Sequence, residues 1–266
     1  MLTPLHDIFS ALPVFALVLF RVSGLMLTAP VFGSQMIPRR VRIAMMMTMA
    51  AIMFPIVNAH TPAHIGLGSV VVGGVSEMMI GATIGLALTI FIMGAEVAGR
   101  TAGQQAGLSI GQIADPTSGQ QVSTLGALYT IVLTVLFLVI GGHRAMMAAL
   151  LDTYSAVPLL SYQFSDSMVV LLVEMLTAAF VLGVRVGAPI IVAVFLSGVA
   201  LGFLSRTMPQ LNILSVGFTL RLLVALAIAG VALTASGDML VHSAFQALAM
   251  VRESFGLDPG LTWLAT

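Results

Sequence analysis

The sequence predicts an all-α, membrane-associated protein, and three observations support this class. Hydrophobic residues make up 59% of the 266 residues and charged residues only 8%, whereas soluble domains carry roughly 25% charged residues. The apolar runs are much longer than the strands of a membrane barrel, which need about 9–11 residues. An open sheet would leave unpaired backbone groups in lipid. Helices are therefore the secondary structure that fits these runs.

The first half of the chain contains three apolar segments, at 10–32, 43–57 and 66–98. Residues 10–32 predict a retained first helix, because no basic region and no small-residue cleavage site precede it. Residues 43–57 are short for a bilayer, which needs about 20 helical residues. Residues 66–98 are long, at ~50 Å for a single helix. Pro38 and the stretch 58–62 separate these segments.

The second half contains three more apolar segments, at 122–140, 168–204 and 211–236. The segment 122–140 has the length of a simple span, whereas 168–204 again exceeds ~50 Å as one helix. The long segments could be bent hairpins, tilted helices or helices that leave the hydrocarbon. Arg39, Arg40 and Arg42 lie in the loop after the first segment, which the positive-inside rule places in the cytoplasm.

Five charged residues lie inside these apolar segments. Each would cost ~2.5–3.5 kcal/mol if it faced lipid at mid-membrane. They could pair between helices of one bundle, or they could meet partner subunits or an aqueous path, and we favour the second alternative. The five residues are Arg21, Glu77, Glu174, Arg185 and Arg221.

The polar stretch GQQAGLSIGQIADPTSGQQ, at 103–121, interrupts the apolar pattern. Four glycines precede or enter it at intervals of four residues, a spacing typical of closely packed helices. Pro116 and Gly119 then end any helix. The sequence predicts a helix that loosens into a polar loop, which fits a loop in a pore and a loop outside the membrane equally well.

The sequence gives no support for catalysis. Metalloprotease, hydrolase and phosphate-loop motifs are missing, and there is no Cys and no Lys. The net charge is zero, so we expect no nucleic-acid partner. We also expect no cofactor, no metal and no enzymatic activity.

Four blocks of sequence resemble the FliR family of flagellar export proteins, and the related injectisome family SctT shares their architecture. The block LGFLSRTMPQLNILSVGFTLRLLVALAI at 201–228 is the most specific. The others are FRVSGLMLTAPVFGSQMIPRRVRIAMMMTMAAIMFP at 20–55, GQQAGLSIGQIADP at 103–116 and LFLVIGGHRAMMAALLDTYSAVPL at 136–159.

The resemblance implies a non-enzymatic subunit of the bacterial flagellar type III secretion export gate. FliP, FliQ and FlhB-type subunits, exported unfolded flagellar proteins and membrane lipid would be its partners. It would lie in the inner membrane at the flagellar basal body. The alternatives are an injectisome gate subunit or a small-solute transporter. The implied fold is a single domain over 1–266, made of helical hairpins in a helical assembly. Its FliP-like part is expected at about 1–205, and its FliQ-like part and tail at 206–266.

The resemblance implies one group of functional residues, and the charges inside the apolar segments together with the stretch 209–212 predict a second. The family places a loop in the pore as a plug, and by order in the chain that loop falls at 103–121. The predicted plug and gate residues are Gly103, Gly107, Leu108, Ile110, Gly111, Gln112, Asp115 and Pro116. The residues predicted to contact other parts of the assembly are Arg21, Glu77, Glu174, Arg185, Pro209, Gln210, Asn212 and Arg221.

Overall fold

The structure is a computed structural model, and it describes residues 3–34, 37–58, 67–108, 123–161, 166–208, 213–235 and 237–258. These residues form helices and connecting turns and contain no strand, which confirms the all-α class. The helices are α1 (Thr3–Thr28), α2 (Arg39–Asn58), α3 (Leu67–Gln105), α4 (Thr124–Val139), α5 (Gly142–Ala156), α6 (Asp166–Thr207), α7 (Ile213–Ala235) and α8 (Gly237–Ser254).

Each of the six apolar segments contains a helix, and the two long segments are single continuous helices. Helix α3 has 39 residues and α6 has 42, lengths of ~60 Å at 1.5 Å per residue. The bent-hairpin alternative is therefore wrong for both. Helices α5 and α8 were not predicted. Polar residues such as Asp152, Asp238 and Arg252 interrupt their apolar patterns.

Five helices are long and apolar enough to cross a membrane within the described part of the chain. Their windows are Ala11–Thr28, Arg39–Val57, Gly68–Gln105, Met168–Thr207 and Ser215–Ala235. A sixth span results if α4 and α5, which are separated by a break at Gly141, count as one. These lengths agree with a location in a membrane.

The chain divides into two compact units that alternate along the sequence. Unit 1 contains residues 1–90, 141–175 and 244–266, and unit 2 contains 91–140 and 176–243. Helices α3 and α6 contribute residues to both units. These units are defined by contacts within the chain, whereas the predicted boundary near residue 205 between a FliP-like and a FliQ-like part rests on resemblance to other proteins. That boundary stays a prediction.

In unit 1, small residues let α1 and α3 pack backbone to backbone. A methyl group at Gly81 would overlap the Arg21 carbonyl group and lie 2.9 Å from the Leu25 nitrogen. At this short separation Thr28 can donate a hydrogen bond from Oγ1 to the Ala82 carbonyl oxygen, at 3.1 Å. The core around this contact is apolar and includes Leu17, Val18, Val22, Leu25, Ile80, Ile84 and Leu88.

In unit 2, the C-terminal part of α3 packs closely against α4 and α6. A methyl group added at Gly99 would lie 2.8 Å from the Leu125 carbonyl oxygen of α4. A methyl group added at Gly183 of α6 would lie 2.5 Å from the Gly94 carbonyl oxygen of α3. The buried Tyr129 hydroxyl donates to the Ala229 carbonyl oxygen of α7, at 3.4 Å. The glycine spacing in both units therefore serves tight helix packing.

The replacement Gly81→Ala should lower the thermal unfolding midpoint of the purified full-length chain. The added methyl group has no space against the α1 backbone, and overpacking of this kind costs about 1–3 kcal/mol. The measurement is a thermal melt in detergent.

Gly68→Ala is the matched control on the same helix, because a methyl group there meets nothing within 4 Å. It should leave the midpoint unchanged or raise it slightly, since Ala is the better helix former. Equal midpoints for the two variants would contradict the close α1–α3 contact.

Candidate functional site

Arg21 of α1 and Glu77 of α3 form a fully buried ion pair in unit 1. The Arg21 Nε donates to Glu77 Oε2 at 2.6 Å, and Nη2 lies 2.5 Å from the same oxygen. Both side chains have 0% exposure. This pairing compensates two charges that would otherwise be costly to bury.

The remaining donors of Arg21 reach α5 and the chain that follows it. Nη1 donates to Thr153 Oγ1 at 3.3 Å, and Nη2 donates to the Val157 carbonyl oxygen at 3.0 Å. The guanidinium carbon lies 4.3 Å from the centre of the Tyr154 ring, a distance that allows a cation–π contact. One side chain thus joins α1, α3 and α5.

Glu77 holds the turn after α5 with its second oxygen. Oε1 accepts a hydrogen bond from the Leu160 backbone N–H at 3.0 Å. Leu160 has φ 64°, a left-handed conformation that is unusual for a residue with a side chain. Its side chain packs against Gly73, where a methyl group would overlap it. The buried carboxylate therefore stabilises a strained turn.

These contacts decide between the two alternatives for Arg21 and Glu77. Both side chains are enclosed by their own chain, so they pair between helices of one bundle and offer no surface to another subunit. The sequence pointed to both residues through the cost of intramembrane charge. It did not identify Thr153, Tyr154 or Leu160, although the first two lie in the block 136–159 that carries part of the resemblance.

The other three intramembrane charges are exposed. Glu174 and Arg185 lie on α6 and Arg221 lies on α7, and none of them forms an ion pair within the described ranges. The Arg221 side chain lies against α6, because a methyl group added at Gly198 would be 3.2 Å from Arg221 Nη2. Their assignment to subunit contacts stays a prediction.

Glu174 lies in an open groove between the beginning of α6 and the end of α8, in unit 1. The groove has a volume of about 370 Å³. Two carboxylates, Glu174 and Glu253, share it with mainly apolar side chains, and its lining is Val170, Leu171, Glu174, Met250, Glu253 and Ser254. The groove therefore combines two acidic side chains with a mainly apolar wall.

A second ion pair, which the sequence did not indicate, lies at the end of α8. Arg252 pairs with Asp152 of α5, and its Nε donates to the Asp258 carbonyl oxygen at 3.0 Å. One hundred residues separate the two charges, and no local pattern connects them. Among the residues that the structure covers, no group of three metal-ligating side chains occurs.

The predicted plug begins at a defined helix end. Helix α3 ends at Gln105, and Gly107 follows with φ 85°. The Gly107 N–H donates to the Gln104 carbonyl oxygen, and the Leu108 N–H donates to that of Gly103, both at 3.0 Å. This is a Schellman motif, which requires the left-handed conformation that glycine adopts easily. Gly103 is buried, and Leu108 is half-buried.

The remaining predicted site residues lie outside the described part of the chain. Among the predicted plug residues these are Ile110, Gly111, Gln112, Asp115 and Pro116, and among the predicted contact residues they are Pro209, Gln210 and Asn212.

Replacing Glu77 with Leu should strongly destabilise the chain, because Arg21 would then be a buried charge without a counterion. Breaking a buried pair costs about 3–5 kcal/mol. The expected result is a large loss of monodisperse protein, measured by size exclusion in detergent.

The double variant Arg21→Met, Glu77→Leu should recover much of that loss, because it removes both charges and keeps an apolar core. If the double variant lost as much monodisperse protein as Glu77→Leu alone, the uncompensated charge of Arg21 would not be the cause of the loss.

The family model described as "Bacterial export proteins, family 1" matches residues 12–247. Among similar proteins, the flagellar biosynthetic protein FliR of Pectobacterium carotovorum is 29% identical over 213 residues, 80% of this chain and 81% of that protein. FliR of Bacillus subtilis is 28% identical over 225 residues, covering 83% and 86%. FliR of Caulobacter vibrioides is 29% identical over 227 residues, covering 85% and 90%.

The matched region contains the buried Arg21–Glu77 pair, the end of α3 and the exposed charges of α6 and α7. It also covers well over half of the chain, and the relatives are aligned over most of their own length. This protein therefore belongs to the bacterial export proteins, family 1, the FliR family.

Proposed function

We propose that this chain is a non-enzymatic subunit of the flagellar type III export gate, at the basal body in the inner membrane. It helps to form and gate the channel through which unfolded flagellar proteins leave the cell. The observation that carries the proposal is the family match over residues 12–247. The relatives described above are named as flagellar proteins, which favours this system over an injectisome or a solute transporter.

The exposed charges of the apolar helices support a role as one subunit among several. Arg185 and Arg221 are exposed on helices that are otherwise apolar, and each would cost ~2.5–3.5 kcal/mol against lipid. Glu174 faces a groove that it shares with a second carboxylate. Carboxylates and cations of FliP-, FliQ- and FlhB-type subunits would compensate these charges.

The end of α3 supports a plug in the segment that follows. The Schellman motif at Gly107 ends the helix, so the chain leaves α3 immediately before the glycine- and glutamine-rich residues 109–121. Glutamine makes such a segment wettable without adding charge, and glycine makes it pliable. Leu108 and Ile110 would then help to seal the closed pore.

Deleting residues 109–116 should leave assembly intact and make the closed gate leak ions. The deletion keeps Gly107 and Leu108, so the end of α3 retains its hydrogen bonds. Ion conductance of cells that express the variant gate, without export substrate, is the measurement.

The control for this deletion is a replacement of 109–116 by an equally long Gly-Ser segment, which separates loss of sealing side chains from loss of length. Normal ion tightness in both variants, with normal assembly, would argue against the plug while leaving the role as a gate subunit intact.

Replacing Arg221 with Leu should reduce the yield of complex with FliP- and FliQ-type subunits, because a charge that compensates a partner carboxylate is lost. Co-purification from membranes measures the yield. The control is Arg144→Leu, since Arg144 is also exposed but lies beside the break at Gly141, outside a long apolar helix. Equal yields for both variants and the parent chain would mean that Arg221 is not an assembly contact.

A further inference from the structure

Helix α2 carries a continuous exposed face that begins with a cation and is otherwise almost entirely apolar. The exposed positions follow one another at intervals of three or four residues, which places them on one side of the helix. In order they are Arg40, Ile43, Ala44, Met47, Thr48, Ala51, Ile52, Pro55 and Ile56, and Arg39 and Val41 are exposed beside them in the first turn. We call this face the α2 stripe.

The opposite side of α2 is the side that the chain covers. Met46, Ala50, Met53 and Val57 are buried there. Only 22% of the apolar α2 window is buried inside the chain, compared with 44% for the window of α1. The α2 stripe is therefore a surface that something outside the chain must cover.

Charge on α2 is confined to one end. Arg39, Arg40 and Arg42 lie in its first turn, no acidic residue lies there, and residues 43–58 carry no charge at all. The N-terminal end of a helix is itself weakly positive, so the helix adds to this charge instead of cancelling it. The cations remain uncompensated by their own helix.

Arg42 is occupied by the chain, which leaves two arginines to face outward. Its Nη2 donates to the carbonyl oxygens of Ser34 at 2.5 Å and Gly33 at 3.3 Å, and so holds the turn between α1 and α2. Arg39 and Arg40 are exposed, and neither forms an ion pair with a residue that the structure describes.

We propose that the α2 stripe binds an anionic phospholipid, with Arg39 and Arg40 at the headgroup phosphate and the apolar residues along the acyl chains. From Arg40 to Ile56 the stripe is ~24 Å long at 1.5 Å per residue, within the ~30 Å hydrocarbon core. A bilayer places a plane of negative charge directly beside hydrocarbon. The stripe has the complementary order of a cationic end followed by uncharged apolar surface.

The test measures lipid binding to the full-length chain, purified in detergent with whatever subunits accompany it. Native mass spectrometry with added dioleoylphosphatidylglycerol or dioleoylphosphatidylcholine gives the affinity for each lipid. The parent chain should prefer phosphatidylglycerol. The double variant Arg39→Gln, Arg40→Gln should bind it about 25-fold more weakly, because each basic residue near an anionic surface strengthens binding about fivefold. Its affinity for phosphatidylcholine should not change.

The matched control removes two other exposed arginines, Arg144→Gln and Arg206→Gln. It changes the net charge by the same amount and should retain the preference for phosphatidylglycerol. Inorganic phosphate should not displace the lipid, since it offers no acyl chains.

Three results would overturn the proposal. One is an equal loss of phosphatidylglycerol binding in the control, and another is displacement by inorganic phosphate. The third is unchanged lipid binding in the Arg39, Arg40 variant together with loss of co-purifying subunits, which would assign the stripe to a protein partner. The outcome does not depend on the plug or on the identity of those subunits.

Discussion

The buried ion pair between Arg21 and Glu77 is the constraint on which unit 1 depends. A guanidinium and a carboxylate without exposure are tolerable only while each has its partner and its other hydrogen bonds. Arg21 uses its remaining donors on Thr153 and Val157, and Glu77 uses its remaining oxygen on Leu160. The pair therefore specifies which helices meet, and in which register. An apolar contact of similar volume would pack as well but would not fix the strained turn at Leu160.

Close backbone contact makes this arrangement possible. Gly81 lets α3 approach the α1 backbone at Arg21 itself, so the same turn of α1 supplies both the packing surface and the buried cation. Because the helices are so close, threonine hydroxyls can reach carbonyl groups across the contact, as Thr89 reaches Thr28 at 2.5 Å. Small residues and polar side chains act together here, which is typical of helices in membranes.

The charges on the surface of the chain differ from those in its interior in whether they have a counterion. The interior charges are paired, whereas Glu174, Arg185 and Arg221 are exposed on apolar helices without a counterion in the described part of the chain. In water such charges would need no explanation. Beside apolar surface of this extent they require polar neighbours, and under the proposed function other subunits of the export gate would supply them. The α2 stripe differs, because its cations lie only at one end, as they do where a helix meets lipid headgroups.

The sequence by itself determined the class of the protein, the positions of the apolar helices and the five costly charges, because hydropathy and charge are properties of single residues and short windows. It also carried the resemblance to the FliR family. It did not determine that α3 and α6 are continuous, since length alone allowed a bend. Nor could it pair Arg21 with Glu77, or Asp152 with Arg252, because partners 56 and 100 residues apart meet only when helices pack. Only the tertiary structure separated the charges that the chain compensates itself from those that are exposed without a counterion among the described residues.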